Sequence, residues 1–103
     1  MSDAGVTVAA TAVHAPPLDV LILEDSRFDV ELLLEALALA LPTARPRVVR
    51  DEAGFTGALA EQPYALILSD FELPGFSGAH ALELARATVP DTPFIFVSGV
   101  IGE

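Results

Sequence analysis

Residues 64–78, Tyr-Ala-Leu-Ile-Leu-Ser-Asp-Phe-Glu-Leu-Pro-Gly-Phe-Ser-Gly, decide how the rest of the chain is read. The run Tyr64-Ala65-Leu66-Ile67-Leu68 is apolar and bounded by turn residues. Such a run reads as a strand buried on both faces, as in a parallel sheet. Asp70 then stands where the strand ends, and Leu73-Pro74-Gly75 with Gly78 supplies turn chemistry. In open α/β sheets, sites lie outside the carboxyl ends of the strands. Asp70 is therefore a candidate working group, although an Asp at this place also serves simply to start a turn.

Outward from this stretch, strands and helices alternate. Leu18–Leu23 (LDVLIL) is the first strand, closed by Glu24-Asp25-Ser26. Phe28–Leu41 reads as a helix, because apolar residues at 30, 33, 34, 37 and 41 recur at spacings of three and four. Asp25 or Ser26 can cap it, and Pro42 stops it. Arg47–Arg50 is a short strand near an edge, and Asp51–Glu61 a short helix weakened by Gly54 and Gly57. Ser77–Val89 is a third helix, with Ala81, Leu82, Leu84 and Ala85 as its buried stripe. Phe94–Val97 is a fourth strand, ending in Ser98-Gly99. The order implies an α/β fold: a doubly wound parallel sheet with helices on both faces and right-handed crossovers. Met1–Pro17 reads as an N-terminal extension, closed by Pro16-Pro17. Its β-branched part, Val6–Val13, is either disordered or borrowed as an edge strand.

Composition narrows the function classes. With 103 residues there is room for one domain. The chain has no cysteine, which excludes disulfides and thiolate metal sites and fits a reducing compartment. Fifteen acids against five Arg and no Lys give a net charge of −10. Such a surface repels nucleic acid and anionic lipid, so this chain is expected to bind neither. No positive region precedes an apolar core at the N-terminus, and no apolar run reaches the ~18 residues of a membrane span. A soluble, cytoplasmic protein is expected.

Glu24-Asp25, Asp70 and Ser98 all fall at the same edge of the expected sheet. Clustered carboxylates repel one another unless a cation or a shared proton compensates. A hard divalent ion such as Mg²⁺ suits a few carboxylate oxygens and retains several waters. That arrangement could neutralise a phosphoryl group moving to a carboxylate nucleophile. The same polar residues also read as plain caps and turns, and spacing alone does not choose between the two.

Together these motifs resemble the receiver domain of two-component response regulators. LILEDS resembles the first-strand acidic pair of that family, and LILSDFELPGFSG its phosphoacceptor loop. PFIFVSG resembles its fourth strand, and SGVIGE is similar to the form found in receivers attached to sensor kinases. The resemblance covers residues 18–103. It implies a flavodoxin-like fold with strand order 2-1-3-4, and Asp70 as phosphoacceptor. It further implies Mg²⁺ held by the Asp25 and Asp70 carboxylates, the Glu72 backbone carbonyl and, through a water, Glu24. Ser98 would contact the phosphoryl group. The implied partner is a sensor histidine kinase or a histidine phosphotransfer protein, and the domain would be an acceptor that assists its own phosphorylation and dephosphorylation, not an enzyme with an external substrate.

The family continues with a helix, a fifth strand bearing a Lys, and a fifth helix, which these 103 residues do not contain. The expectation is an incomplete receiver, ending after its fourth strand, whose Phe94–Val97 edge is open. A homodimer or an element-exchanged oligomer is expected, with Val6–Val13 as another cover for an edge. The alternative function is a receiver-like interaction or dimerisation module that does not accept phosphate. A metal-dependent hydrolase with an Asp nucleophile ranks last, because no general acid is evident beyond Glu72.

Overall fold

The structure, a computed structural model, describes residues 16–73 and 75–97. Six strands and three helices follow in order: β1 (Leu18–Leu23), α1 (Arg27–Ala40), β2 (Ala44–Val49), α2 (Glu52–Glu61), β3 (Leu66–Ser69), β4 (Glu72–Leu73), β5 (Phe76–Ser77), α3 (Gly78–Thr88) and β6 (Phe94–Phe96). Four of the strands form a parallel sheet in the order β2-β1-β3-β6, which is the expected 2-1-3-4 arrangement. Val20, Leu21, Ile22 and Leu23 of β1 are fully buried, because β1 is flanked by strands and covered on both faces.

Side-chain alternation divides the core in two. Leu21, Leu23 and Ile67 face Phe55, Ala58 and Leu59 of α2 and Ala81 and Ala85 of α3. Val20, Ile22 and Leu68 face the other way, onto Leu37 of α1 with Leu33 and Leu34 beside it. Each helix starts on a side-chain cap. The Ser26 Oγ accepts from the Asp29 N–H, an Asp51 carboxylate oxygen from Gly54 N–H, and the Ser77 Oγ from His80 N–H. Caps of this kind contribute about 1 kcal/mol each.

Two local readings change. The sequence places the second strand at Arg47–Arg50, but it begins at Ala44 and runs through Pro46. Proline is tolerated there because β2 is an edge strand. β2 is tied down by Arg45 to Asp19 of β1 at 3.0 Å and by Arg47 to Glu61 on α2. The Arg47 hydrogen bond, and then its charge, hold the Glu61 carboxyl below its ordinary range. The stretch after Asp70 is more than a turn: β4 and β5 form a small antiparallel hairpin, Glu72 opposite Ser77 and Leu73 opposite Phe76. Gly75 at its tip has φ +68°, a backbone region that side-chain-bearing residues rarely adopt. Val6–Val13 lies outside the described residues.

Candidate functional site: an acidic cleft at the carboxyl edge of the sheet

Parallel pairing carries the ends of β1 and β3 to the same edge. Leu23 is in register with Ser69, and the Asp70 N–H donates to the Leu23 carbonyl at 3.0 Å. The two acidic segments that follow these strands are therefore forced together. Carboxylate oxygens of Glu24, Asp25 and Asp70 lie within 4.8 Å of one another. Asp25 is exposed, Asp70 half-buried and Glu24 only 4 % exposed.

Glu24 is the electrostatic oddity. Burial pushes its carboxyl above the ordinary value of 4.5, and the charges of Asp70, Asp29 and Asp25 push the same way. The Ser26 N–H, which donates to Glu24 Oε2 at 3.1 Å, opposes them without prevailing. A buried carboxylate among like charges is costly unless something positive compensates. Asp70 is oriented by the Phe71 N–H, which donates to its Oδ1 at 2.8 Å. Arg50, at the end of β2, donates to the Asp25 carbonyl at 3.4 Å and brings one cation to the rim.

The loop after Asp70 is held by Gly78, whose N–H donates to the Phe71 carbonyl at 2.7 Å. A Cβ on Gly78 would lie 2.7 Å from both the Asp70 and Phe71 carbonyl oxygens and 2.8 Å from the Phe96 ring. The close approach of backbone to backbone explains why glycine stands at this position. Glu72 is exposed on β4, two residues beyond Asp70. Ser98 lies outside the described residues. The structure thus brings together Glu24, Asp25 and Asp70. Spacing did not reveal the burial of Glu24 or the reach of Arg50, although the arginine ending the RVVR run was the available hint.

No family model matches the sequence, and no curated protein matches it. Solved structures do. The receiver domain of a sensor histidine kinase from Pseudomonas aeruginosa PAO1, described with a magnesium ion coordinated in its active-site cleft, is 27 % identical with a TM-score of 0.66. The bacteriophytochrome response regulator RtBRR is 28 % identical with a TM-score of 0.68. Both likenesses cover 78 % of this chain, and they span 66 % and 55 % of those chains. A chain from the complex of histidine kinase ThkA with response regulator protein TrrA shares the fold, at 24 % identity and a TM-score of 0.65 over 80 % of this chain and 69 % of that one. The sheet order and the acidic cleft define a flavodoxin-like α/β domain with its site at the carboxyl edge. Within that class, the chain is similar to the receiver domains of response regulators and sensor kinases.

Proposed function

We propose that Asp70 accepts a phosphoryl group from the phosphohistidine of a sensor histidine kinase or a histidine phosphotransfer protein, with Mg²⁺ as cofactor. The observation that carries this reading is the cluster of Glu24, Asp25 and Asp70 carboxylates within 4.8 Å, with one of the three buried. This donor set fits a hard divalent cation, since it is all oxygen, open on the Asp25 side, and otherwise uncompensated. Asp25 and Asp70 would hold the ion through their carboxylates, Glu72 through its backbone carbonyl and Glu24 through a water. When bound, Mg²⁺ would supply positive charge against the phosphoryl oxygens and the clustered acids.

The work of the chain is positioning. The Phe71 N–H fixes the Asp70 carboxylate, so that one of its oxygens can attack phosphorus in line. The new O–P bond forms as the P–N bond breaks, the imidazole leaves with the electron pair, and Asp70 becomes an acyl phosphate. Ser98 would donate a hydrogen bond to the transferred group. In this role the domain is an acceptor and not an enzyme turning over an external substrate. A cytoplasmic site of action suits a kinase partner and a cysteine-free chain, and among the described residues no helix is long and apolar enough to cross a membrane.

The test is intact mass after incubation with a small phosphodonor and Mg²⁺, with Asp70→Asn alongside. One phosphoryl group gained by the parent and none by the variant is the expected result. No gain in folded parent protein would favour the second reading, an interaction module. The specific support for that reading is a group of exposed apolar side chains on and beside β6: Phe71, Ile95 and Phe96 are 49 %, 48 % and 37 % exposed.

A further inference from the structure

We infer that Ser69 is a positioning residue for Asp70: its hydroxyl locks the peptide group between Asp70 and Phe71, and that group aims the Asp70 carboxylate. The consequence for phosphoryl transfer rests on the reading of Asp70 as the acceptor, whereas the lock itself is a matter of geometry.

Ser69 is out of character with its surroundings. It ends β3 and is 0 % exposed, in a strand whose other residues, Leu66, Ile67 and Leu68, are apolar. Apart from Tyr64, the buried polar residues among those described are Glu24 and Ser69, and both stand at the carboxyl edge of the sheet. Burying a hydroxyl is costly unless it is hydrogen-bonded, and packing alone would be served as well by a small apolar residue. The Ser69 hydroxyl donates to the Asp70 carbonyl at 2.8 Å.

The peptide group that carries this carbonyl also carries the Phe71 N–H, which donates to Asp70 Oδ1 at 2.8 Å. A trans peptide group is planar, with its C=O and N–H pointing in opposite directions. Holding the carbonyl therefore holds the N–H, and the N–H holds the carboxylate.

Topology explains why a side chain takes on this task. The Asp70 N–H donates to the Leu23 carbonyl at 3.0 Å. In a continued parallel ladder the Asp70 carbonyl would next accept from the Asp25 N–H. But β1 ends at Leu23, and Asp25 is already turned out to solvent. The Ser69 hydroxyl stands in for the donor that the ladder no longer supplies.

The groups on either side are committed as well. The Val97 N–H donates to the Ser69 carbonyl at 3.0 Å, and the Gly78 N–H to the Phe71 carbonyl at 2.7 Å. Every backbone polar group from the Ser69 carbonyl to the Phe71 carbonyl thus has a partner. Within that run the Ser69 hydroxyl is the one link supplied by a side chain other than Asp70 itself. Without it the Asp70 carbonyl loses its donor, the peptide group is free to tilt, and the carboxylate loses its fixed direction. In-line attack depends on that direction, and small misplacements are expressed in rate. One ordinary hydrogen bond corresponds to an effect of about 2- to 10-fold.

The test compares the 103-residue chain with Ser69→Ala and with Ser69→Thr, which keeps the hydroxyl in a residue suited to a strand. The first arm is NMR of the metal-free proteins and needs no phosphodonor. In Ser69→Ala the Phe71 amide proton should move upfield and exchange with water about 2- to 10-fold faster, and in Ser69→Thr it should stay close to the parent. The upfield shift is a signature that a purely stabilising role would not produce. The second arm is phosphorylation by phosphoramidate with Mg²⁺, in which the Asp70 O–P bond forms as the P–N bond breaks and ammonia leaves with the electron pair. Ser69→Ala should react about 2- to 10-fold more slowly than the parent, and Ser69→Thr at the parent's rate. Should Ser69→Ala not fold, Ser69→Cys, close in shape but a much weaker donor, takes its place. An unmoved Phe71 resonance, equal rates in the parent and Ser69→Ala, or a Ser69→Thr as slow as Ser69→Ala would each overturn the inference. A parent that gains no phosphoryl group would instead refute Asp70 as the acceptor, and the amide arm then decides on the lock by itself.

Discussion

Replacing Glu24 by Gln in metal-free buffer should make this domain more stable. Two full carboxylate charges at the 4.8 Å limit of the cluster repel by about 1 kcal/mol in water and about 3.5 kcal/mol at an effective dielectric of ~20. Glu24 is buried, but exposed Asp25 lets solvent screen part of the field. Removing the Glu24 charge should therefore stabilise the metal-free fold by about 1–3 kcal/mol. For a domain of this size that raises Tm by about 5–15 °C. The Gln oxygen can still accept from the Ser26 N–H, so the local turn is kept.

The advantage must depend on pH. The folded-state pKa of Glu24 is raised, so the folded protein binds this proton more readily than the unfolded chain. Stability from protonated Glu24 is fully present below about pH 4.5 and is lost as pH rises through the folded value. The gap between Glu24→Gln and the parent should be widest at neutral pH and close in acid. Mg²⁺ should narrow the gap. At a hundred times its Kd, the ion stabilises the parent by about 2.7 kcal/mol. Loss of a water-mediated ligand weakens affinity about 10- to 100-fold, which leaves the variant only about 0.4–1.4 kcal/mol of that gain. Thermal melts with chelator and with Mg²⁺, at neutral and acidic pH, decide the matter. A variant less stable than the parent without metal at pH 7, or one with an undiminished Mg²⁺ shift, would refute the account.

Two further substitutions probe the frame around the site. Gly78→Ala should cost about 2–3 kcal/mol in urea unfolding, because its Cβ meets two carbonyl oxygens and the Phe96 ring. Gly57→Ala, where nothing lies within 4 Å of a Cβ, should instead stabilise α2 by about 0.5–1 kcal/mol, so equal effects at the two glycines would contradict the packing argument. Tyr64→Phe should be neutral or stabilise by up to about 1 kcal/mol, since the buried Tyr64 hydroxyl has no hydrogen-bond partner among the described residues. A loss above ~2 kcal/mol on the same urea assay would show that this hydroxyl is satisfied.

The fold was legible wherever apolar period and punctuation agreed. LDVLIL gave β1 to the residue, because six residues between Pro17 and Glu24 leave a buried strand no other boundary. The cap at Ser26 and the breaker Pro42 placed α1 to within about a residue, and α2 was placed equally well with Asp51, its cap, counted inside it. The second strand was missed at its start because Pro46 argues against a strand interior, and only its edge position removes the objection. The hairpin of β4 and β5 was hidden for a different reason. Two residues on each side carry no period, and the pairing is imposed by the Gly75 turn and by Leu73 and Phe76 entering the α2–α3 side of the core.

Proximity within the site follows from topology alone. Once β1 and β3 are parallel neighbours, any acids immediately after them must meet, whatever their later use. The sequence therefore supplies Glu24, Asp25 and Asp70 as a group, but not their inequality. Glu24 is buried because it is the next residue of a strand whose last four positions are already inside, and its N–H still bonds to the Val49 carbonyl of β2. Asp25 is released to solvent as the chain turns toward Ser26. One buried and one exposed acid on adjacent residues is thus a product of where pairing ends, and it leaves a charge deficit on the buried side that the chain's own Arg50, bonded to a carbonyl and not to a carboxylate, does not fill. A bound divalent cation would fill it, which is why the metal-free protein, and not the loaded one, is where the strain of this site should be measured.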